Sequence, residues 1–200
     1  MALPPRAILL VFPLLFFVVA STTRVAAGES PAAAASSSSA TTFLRSRCAT
    51  TRYPDVCYHS LLPYASTFQT SHVKLAVAAA DVAAAKLRAF SARIKDLLLR
   101  SAGGARVVAA LKDCKSTVSA AEPAGSAAAG VSRRQSRWHV SKAKTWLSSA
   151  ITNEGTCADG FEVAGEAATS SAAGKEVAAG VASVTQHTSI ALALVNGIPL

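Results

Sequence analysis

The chain has 200 residues, of which 51% are hydrophobic, 6% aromatic and 16% charged, and 44 are alanine. Because alanine is the best helix former and a poor strand former, this composition excludes a β-sandwich or barrel, and the length suits one ordinary domain. Basic residues outnumber acidic ones by 20 to 11. The resulting net charge of +9 favours polyanionic partners, although solubility alone is an equally good explanation of a bare net charge.

The first 27 residues have the pattern of a secretory signal peptide. Arg6 supplies the basic start, residues 8–20 form an apolar run too short for a membrane span, and residues 25–27 (VAA) fit cleavage before Gly28. Cleavage leaves 18 basic against 11 acidic residues, a net charge of +7. No later stretch is expected to be long and apolar enough to cross a membrane, so we expect a soluble, secreted protein.

The mature chain begins with an Ala/Ser-rich segment of low complexity, residues 28–41. We interpret it as a flexible lead-in without a core of its own, and we expect ordered structure to begin near Thr42 and to continue as one domain over 42–197. Pro54 disfavours helix at Tyr53 and suits a turn. Two short helical pieces around this turn predict a small N-terminal hairpin.

Four long helical segments follow, each with apolar residues at alternating steps of four and three, the pattern of packed helices. Glycines or a proline lie between these segments or at their ends. Glu154 occupies a position of the third segment at which the pattern calls for an apolar residue. The predicted core positions, helix by helix, are Val73, Val77, Ala80, Ala84, Leu87, Ser91, Ile94 and Leu98; Val107, Leu111, Cys114, Val118 and Ala121; Val140, Ala143, Leu147, Ala150, Cys157, Phe161 and Ala164; Val177, Val181, Val184, Thr188, Ala191 and Val195. The sequence therefore predicts an all-α fold.

Four cysteines in a secreted chain indicate two disulfides, and three pairings are open. The short loop between Cys48 and Cys57 makes a local bridge the simplest pairing. Cys114 and Cys157 both occupy core positions on different helices, which suits a bridge between the second and third helices. All four cysteines are then oxidised, and none is a free nucleophile.

No catalytic or metal-binding pattern stands out. A G-x-S-x-G sequence is absent, the acidic residues are dispersed along the helices, and the cysteines and histidines lack ligand spacing. His187 lies beside the core pattern of the fourth helix and is interpreted as a packed histidine. We therefore expect no cofactor, no metal and no enzyme activity, and a function exerted through the protein surface.

Four stretches resemble the plant invertase and pectin methylesterase inhibitor family. Residues 48–57 (C-x4-Y-P-D-x-C) look like its N-terminal hairpin signature, and residues 110–114 (ALKDC) resemble its second-helix motif. Residues 140–162 (VSKAKTWLSSAITNEGTCADGFE) resemble its third helix nearly throughout, and residues 189–196 (SIALALVN) its closing helix. The resemblance runs from about Thr42 to Asn196.

This resemblance implies an up-down four-helix bundle preceded by a helical hairpin, with disulfides Cys48–Cys57 and Cys114–Cys157. It also implies a non-enzymatic inhibitor, located in the apoplast or cell wall, that covers the active-site cleft of pectin methylesterase or of acid invertase. The expected contacts with the enzyme lie on the third helix around the fourth cysteine. The matching positions are Thr156 and Asp159, with Thr152 and Asn153 as further candidates; an ordinary exposed helix surface is the alternative.

Two departures from the family bear on the target. After Cys114 the family commonly carries an acidic residue and a tyrosine, where this chain has residues 115–118 (KSTV), and Pro123 then interrupts the helix. The Pro-Lys-Phe segment of some invertase inhibitors is absent, which favours pectin methylesterase as the target over cell-wall or vacuolar invertase.

Two alternatives stay open beside the inhibitor. One is a basic wall protein that binds acidic pectin, since basic residues cluster before and within the third helix, although a solvated helix face is the commoner reading of such a cluster. The other is a pectin methylesterase pro-region that acts alone. The basic cluster comprises Arg133, Arg134, Arg137, Lys142 and Lys144.

Overall fold

The computed structural model describes residues 31–100, 104–122 and 136–199, and these contain helices and no strand. The predicted signal peptide over 1–27, Pro123, Arg133 and Arg134 lie outside the described residues. The helices are α1 (Pro31–Cys48), α2 (Pro54–Leu61), a 3-10 turn (Leu62–Tyr64), α3 (Ala65–Phe68), α4 (His72–Arg100), α5 (Ala105–Ala121), α6 (Ser136–Val163), α7 (Glu166–Thr169) and α8 (Ala172–Asn196).

The N-terminal hairpin consists of α1 and α2. Pro54 occupies the first turn of α2, where its fixed φ suits a helix start, and the Cys48–Cys57 disulfide joins the two helices across a sequence separation of 9. The structure differs from the predicted lead-in, since residues 31–41 are already helical and Ala40 is buried. Two features favour this helix: its alanines after an initial proline suit a helix start, and the later residues Ala40 and Leu44 are buried.

Four long helices form the bundle. α4 packs against α5 and α8, and α6 packs against the same two helices, so the four occupy the corners of a square. α4 and α8 are antiparallel: Arg93 of α4 contacts Glu176 of α8, and Phe90, one turn earlier in α4, lies against Gly180, one turn later in α8. Together with the short connections from α4 to α5 and from α6 to α8, this gives the up-down bundle that the resemblance implies.

The core follows the predicted helical patterns with two kinds of deviation. Every predicted core position of α5 is buried. Six predicted positions of the other helices are only half-buried, and Leu97 is buried in place of Leu98. The half-buried positions are Val73, Val77, Ser91, Leu98, Ala164 and Val181. Glu154, the mismatch on α6, is completely buried. Among the described residues the core is therefore largely apolar, with Thr51, Glu154, His187 and Thr188 as its buried polar residues.

α8 is the most apolar helix of the bundle. Its 25 residues include a window with mean hydropathy 1.3, enough by length and composition to cross a membrane, which corrects the expectation that no stretch after the signal peptide reaches that measure. Its apolar side chains at Val177, Val184, Ile190 and Leu194 are buried in the bundle. The hydropathy of α8 is thus accounted for by packing against α4 and α6.

Short polar and glycine caps set the ends of the long helices. Ser171 caps α8, since its Oγ accepts a hydrogen bond from the backbone N–H of Gly174 at 2.9 Å. Gly165, between α6 and α7, has a φ of +93°, a backbone conformation that favours glycine. This turn reverses the chain, so that α8 returns along α6.

Candidate interaction surface

The disulfide between Cys114 and Cys157 fixes the middle of α6 against α5. Both half-cystines are buried, and the bridge spans a sequence separation of 43. Both predicted pairings are present in the structure. Because Cys157 lies between Thr156 and Asp159 along α6, the cross-link restrains the part of α6 that carries the predicted contact residues.

The predicted contact residues lie around Cys157 on α6. Thr152, Thr156 and Asp159 are exposed, and their spacing of four and three residues places them along one line of the helix. Asn153 is half-buried and lies beside this line. We call Thr152, Thr156 and Asp159 the α6 line. The structure thus brings three of the four candidates onto one accessible strip.

The two threonines of the α6 line have fixed side chains. The Oγ1 of Thr156 donates to the carbonyl oxygen of Thr152 at 3.0 Å, and that of Thr152 donates to the carbonyl of Ser148 at 3.2 Å. Each hydroxyl oxygen keeps lone pairs that accept hydrogen bonds from outside. The strip therefore offers two oriented acceptors and one carboxylate, and the two hydrogen-bonded threonines have little side-chain entropy left to lose on docking.

Glu154 lies on the inner side of the same stretch of α6. The hydroxyl of Thr188 on α8 donates to its Oε1 at 2.7 Å and is also 3.0 Å from the carbonyl oxygen of Val184. Burial raises the pKa of Glu154, and hydrogen bonds from the hydroxyls of Thr188 and Thr185 oppose that rise. The Oε2 atom has no hydrogen-bond partner. Glu154 therefore joins α6 to α8 through threonine hydroxyls of α8 within a largely apolar core.

Sequence reasoning missed the Glu154–Thr188 pair, although a signal for it exists. Glu154 is the charged residue of the α6 core pattern and Thr188 the hydroxyl residue of the α8 core pattern. Two polar residues at core positions of neighbouring helices would satisfy each other, since an unpaired buried polar group is costly. The helical period gives the positions but not which helices are neighbours.

His187 connects the hairpin to the bundle. Its Nδ1 is 2.7 Å from the carbonyl oxygen of Ser183 and carries the proton of that hydrogen bond, so its Nε2 accepts from the Ser60 hydroxyl of α2 at 3.1 Å. Burial lowers the pKa of His187, the backbone hydrogen bond to Ser183 opposes this, and Lys86 lowers the pKa further. The buried, neutral ring fits the interpretation of a packed histidine.

No group in the described ranges is arranged for metal chemistry. Within those ranges, three or more His, Cys, Asp or Glu side chains nowhere gather as they would around an ion. All four cysteines are in disulfides. What the surface around the α6 line can do is therefore contact a partner through oriented polar groups on a cross-linked helix.

Comparison with known proteins gives consistent matches. The family model described as "Plant invertase/pectin methylesterase inhibitor" matches residues 42–194. This chain is 29% identical over 163 residues to Pectinesterase inhibitor 4 of Arabidopsis thaliana, covering 78% of this chain and 80% of that protein. It is 34% identical over 165 residues to Pectinesterase inhibitor 11 of the same plant, covering 77% and 79%.

A solved structure has the same fold. It is the crystal structure of mutant form A of a pectin methylesterase inhibitor from Arabidopsis, with a TM-score of 0.59 over 76% of this chain and 94% of that chain. The two sequences are 18% identical, so this likeness concerns the helical fold.

Proposed function

Because the chain belongs to the plant invertase/pectin methylesterase inhibitor family, we propose that it inhibits pectin methylesterase by docking the α6 line over the active-site cleft of the enzyme. The family is one of enzyme inhibitors, in keeping with the predicted non-enzymatic function. The similar proteins from Arabidopsis thaliana are named pectinesterase inhibitors, which supports pectin methylesterase as the target.

The observation that carries this proposal is the exposed α6 line above the buried Cys114–Cys157 bridge. A docking surface on a cross-linked helix needs little ordering when it binds, so less of the contact energy is lost to conformational entropy. Asp159 adds a carboxylate to this strip, which would pair with a donor in the enzyme. The mechanism is occlusion, in which the bound bundle keeps substrate out of the cleft.

The runner-up target is cell-wall or vacuolar acid invertase, which the family description also names. Titration of purified, oxidised protein against both enzymes separates the two. We expect stoichiometric loss of pectin methylesterase activity and unchanged invertase activity. The reverse result would reassign the target, and full activity of both enzymes at micromolar protein would contradict the inhibitor function itself.

We place this function outside the cell. The signal-like residues 1–27 support secretion to the apoplast or cell wall, and both disulfides suit an oxidising compartment. Detection of the mature chain starting at Gly28 in a cell-wall wash would support this location. A chain that keeps residues 1–27 and stays with the cell pellet would contradict it.

A second candidate function, binding to acidic pectin, is supported by the charge of α6. Its first 18 residues, 136–153, contain Arg137, Lys142 and Lys144 and no acidic residue. A cationic strip of this kind attracts a polyanion, and salt screens attraction that rests on charge alone. Retention on de-esterified pectin at high salt would favour this candidate, whereas elution at modest salt would indicate charge alone.

A further inference from the structure

The beginning of α6 carries a large aromatic side chain that the bundle leaves uncovered. Trp138 is 62% exposed, and the Nζ of Lys142 is held over its ring, 5.0 Å from the centroid. Trp146 follows one turn after Lys142 and is 36% exposed. Lys142 therefore lies between two accessible indoles along one side of the helix, with a rise of about 6 Å to each.

Among the residues that the structure describes, no ion pair involves Lys142. The ion pairs found there join Arg93 and Arg100 to Asp96 and Glu176. An exposed lysine that stacks on an indole is well placed to receive a carboxylate, because the stacking orients its ammonium group.

We propose that Trp138 and Lys142 form a binding site for a polyuronate chain, the carboxylated form of pectin. The indole would stack on the apolar face of a sugar ring through the ring face that Lys142 does not cover, and the ammonium would pair with the carboxylate of a uronate. Hydrolysis of a methyl ester leaves a carboxylate, so the ligand is the product of the reaction that pectin methylesterase performs. The proposal rests on the second candidate function and gives it a site, and it is independent of enzyme inhibition.

The position of this site leaves the α6 line accessible. Trp138 and Thr156 are eighteen positions apart, which is five helical turns, so they lie on the same side of α6 about 27 Å from each other. A polymer bound at Trp138 would thus hold the inhibitor on de-esterified pectin while Thr156 still faces outward. The two ends of one helix would serve two partners.

The test is binding of the oxidised protein to de-esterified oligogalacturonate, measured by titration calorimetry without any enzyme. The fully methyl-esterified oligomer and neutral dextran are the ligand controls. The variants are Trp138→Ala, Trp138→Phe and Lys142→Ala, and Lys95→Ala on α4 is the matched exposed-lysine control. Circular dichroism checks that each variant is folded, which is expected because the changed side chains are exposed.

We expect Trp138→Ala and Lys142→Ala each to weaken binding by about five- to tenfold, the scale of one aromatic contact or one charge-assisted bond. Trp138→Phe and Lys95→Ala should stay within about twofold of the unmodified protein. Equal losses for both lysine variants with none for Trp138→Ala would overturn the site in favour of charge alone. Unchanged polymer binding by Trp138→Ala would also overturn it, and a separate inhibition titration of pectin methylesterase with the same variant would then show whether the tryptophan contacts the enzyme instead.

Discussion

Glu154→Gln tests the origin of the pH dependence of folding in this bundle. The amide has the shape of the carboxyl group and keeps an oxygen that accepts the hydrogen bond of Thr188, 2.7 Å from Oε1 in the structure. The substitution removes the ability to ionise. The amide nitrogen takes the place of Oε2, which has no hydrogen-bond partner in the structure, and the cost of this exchange is the same at every pH. The decisive quantity is therefore the slope of stability against pH.

The direction of the slope follows from the raised pKa of Glu154. Between the pKa of glutamate in the unfolded chain, about 4.3, and the higher pKa in the fold, the folded protein holds a proton that the unfolded chain has released. The free energy of unfolding then falls as pH rises, by up to about 1.4 kcal/mol per pH unit. For a chain of this size that corresponds to about 3–6 °C in Tm per pH unit. Above the pKa of Glu154 in the fold, this decrease in the free energy of unfolding no longer changes with pH. Below about pH 4 there is no decrease, because Glu154 is protonated in both states.

The assay is urea unfolding at a series of pH values, with Glu162→Gln as the control for an exposed glutamate on the same helix. Subtracting the unmodified protein from each variant cancels the contributions of other groups. We expect the difference for Glu154→Gln to grow in favour of the variant as pH rises through the window and then to level off, and we expect a flat difference for Glu162→Gln. A flat difference for both variants would refute the reasoning.

Three further predictions concern contacts that hold the bundle together. Replacing both Cys114 and Cys157 with serine should cost about 4 kcal/mol in urea unfolding, because the bridge closes a long loop, and an unchanged midpoint would contradict this. Gly180→Ala should cost about 1–3 kcal/mol, because an added Cβ would lie 2.1 Å from the ring of Phe90; Phe90→Leu in the same chain should recover part of the loss in the same assay. His187→Gln should flatten the loss of stability as pH falls below about 6.5, because the lowered pKa keeps the folded ring neutral while the unfolded ring gains a proton; an unchanged slope there would count against it.

The helical pattern predicted the short bundle helix better than the long one. α5 has 17 residues, and all five of its predicted core positions are buried. α4 has 29 residues, and a strict pattern drifts by about 20° per heptad relative to a straight helix. The drift grows toward the ends, where Val73, Val77 and Leu98 become half-buried and Leu97 takes a core place. α4 also packs on two bundle helices and the hairpin, which widens its buried face.

The candidate surface was accessible to sequence reasoning only through the family resemblance. Nothing in the helical period distinguishes Thr156 and Asp159 from other exposed residues of α6. The pairing of Glu154 with Thr188 was missed for a different reason, because the partners lie 34 residues apart on two helices and meet only when the bundle is assembled. Residues 31–41 were interpreted as a flexible lead-in because of their low complexity, whereas the structure shows them as part of a helix, which their alanines favour.

The most direct test of inhibition through the α6 line compares matched surface substitutions in a titration of pectin methylesterase activity. Thr156→Arg and Asp159→Arg place bulk and positive charge on the α6 line, and Thr42→Arg and Asp55→Arg make the same changes at exposed positions of the hairpin. We predict that the first pair raises the inhibitor concentration needed for half inhibition by about tenfold or more, while the second pair leaves it unchanged. Equal inhibition by all four variants, each folded, would contradict docking through this surface.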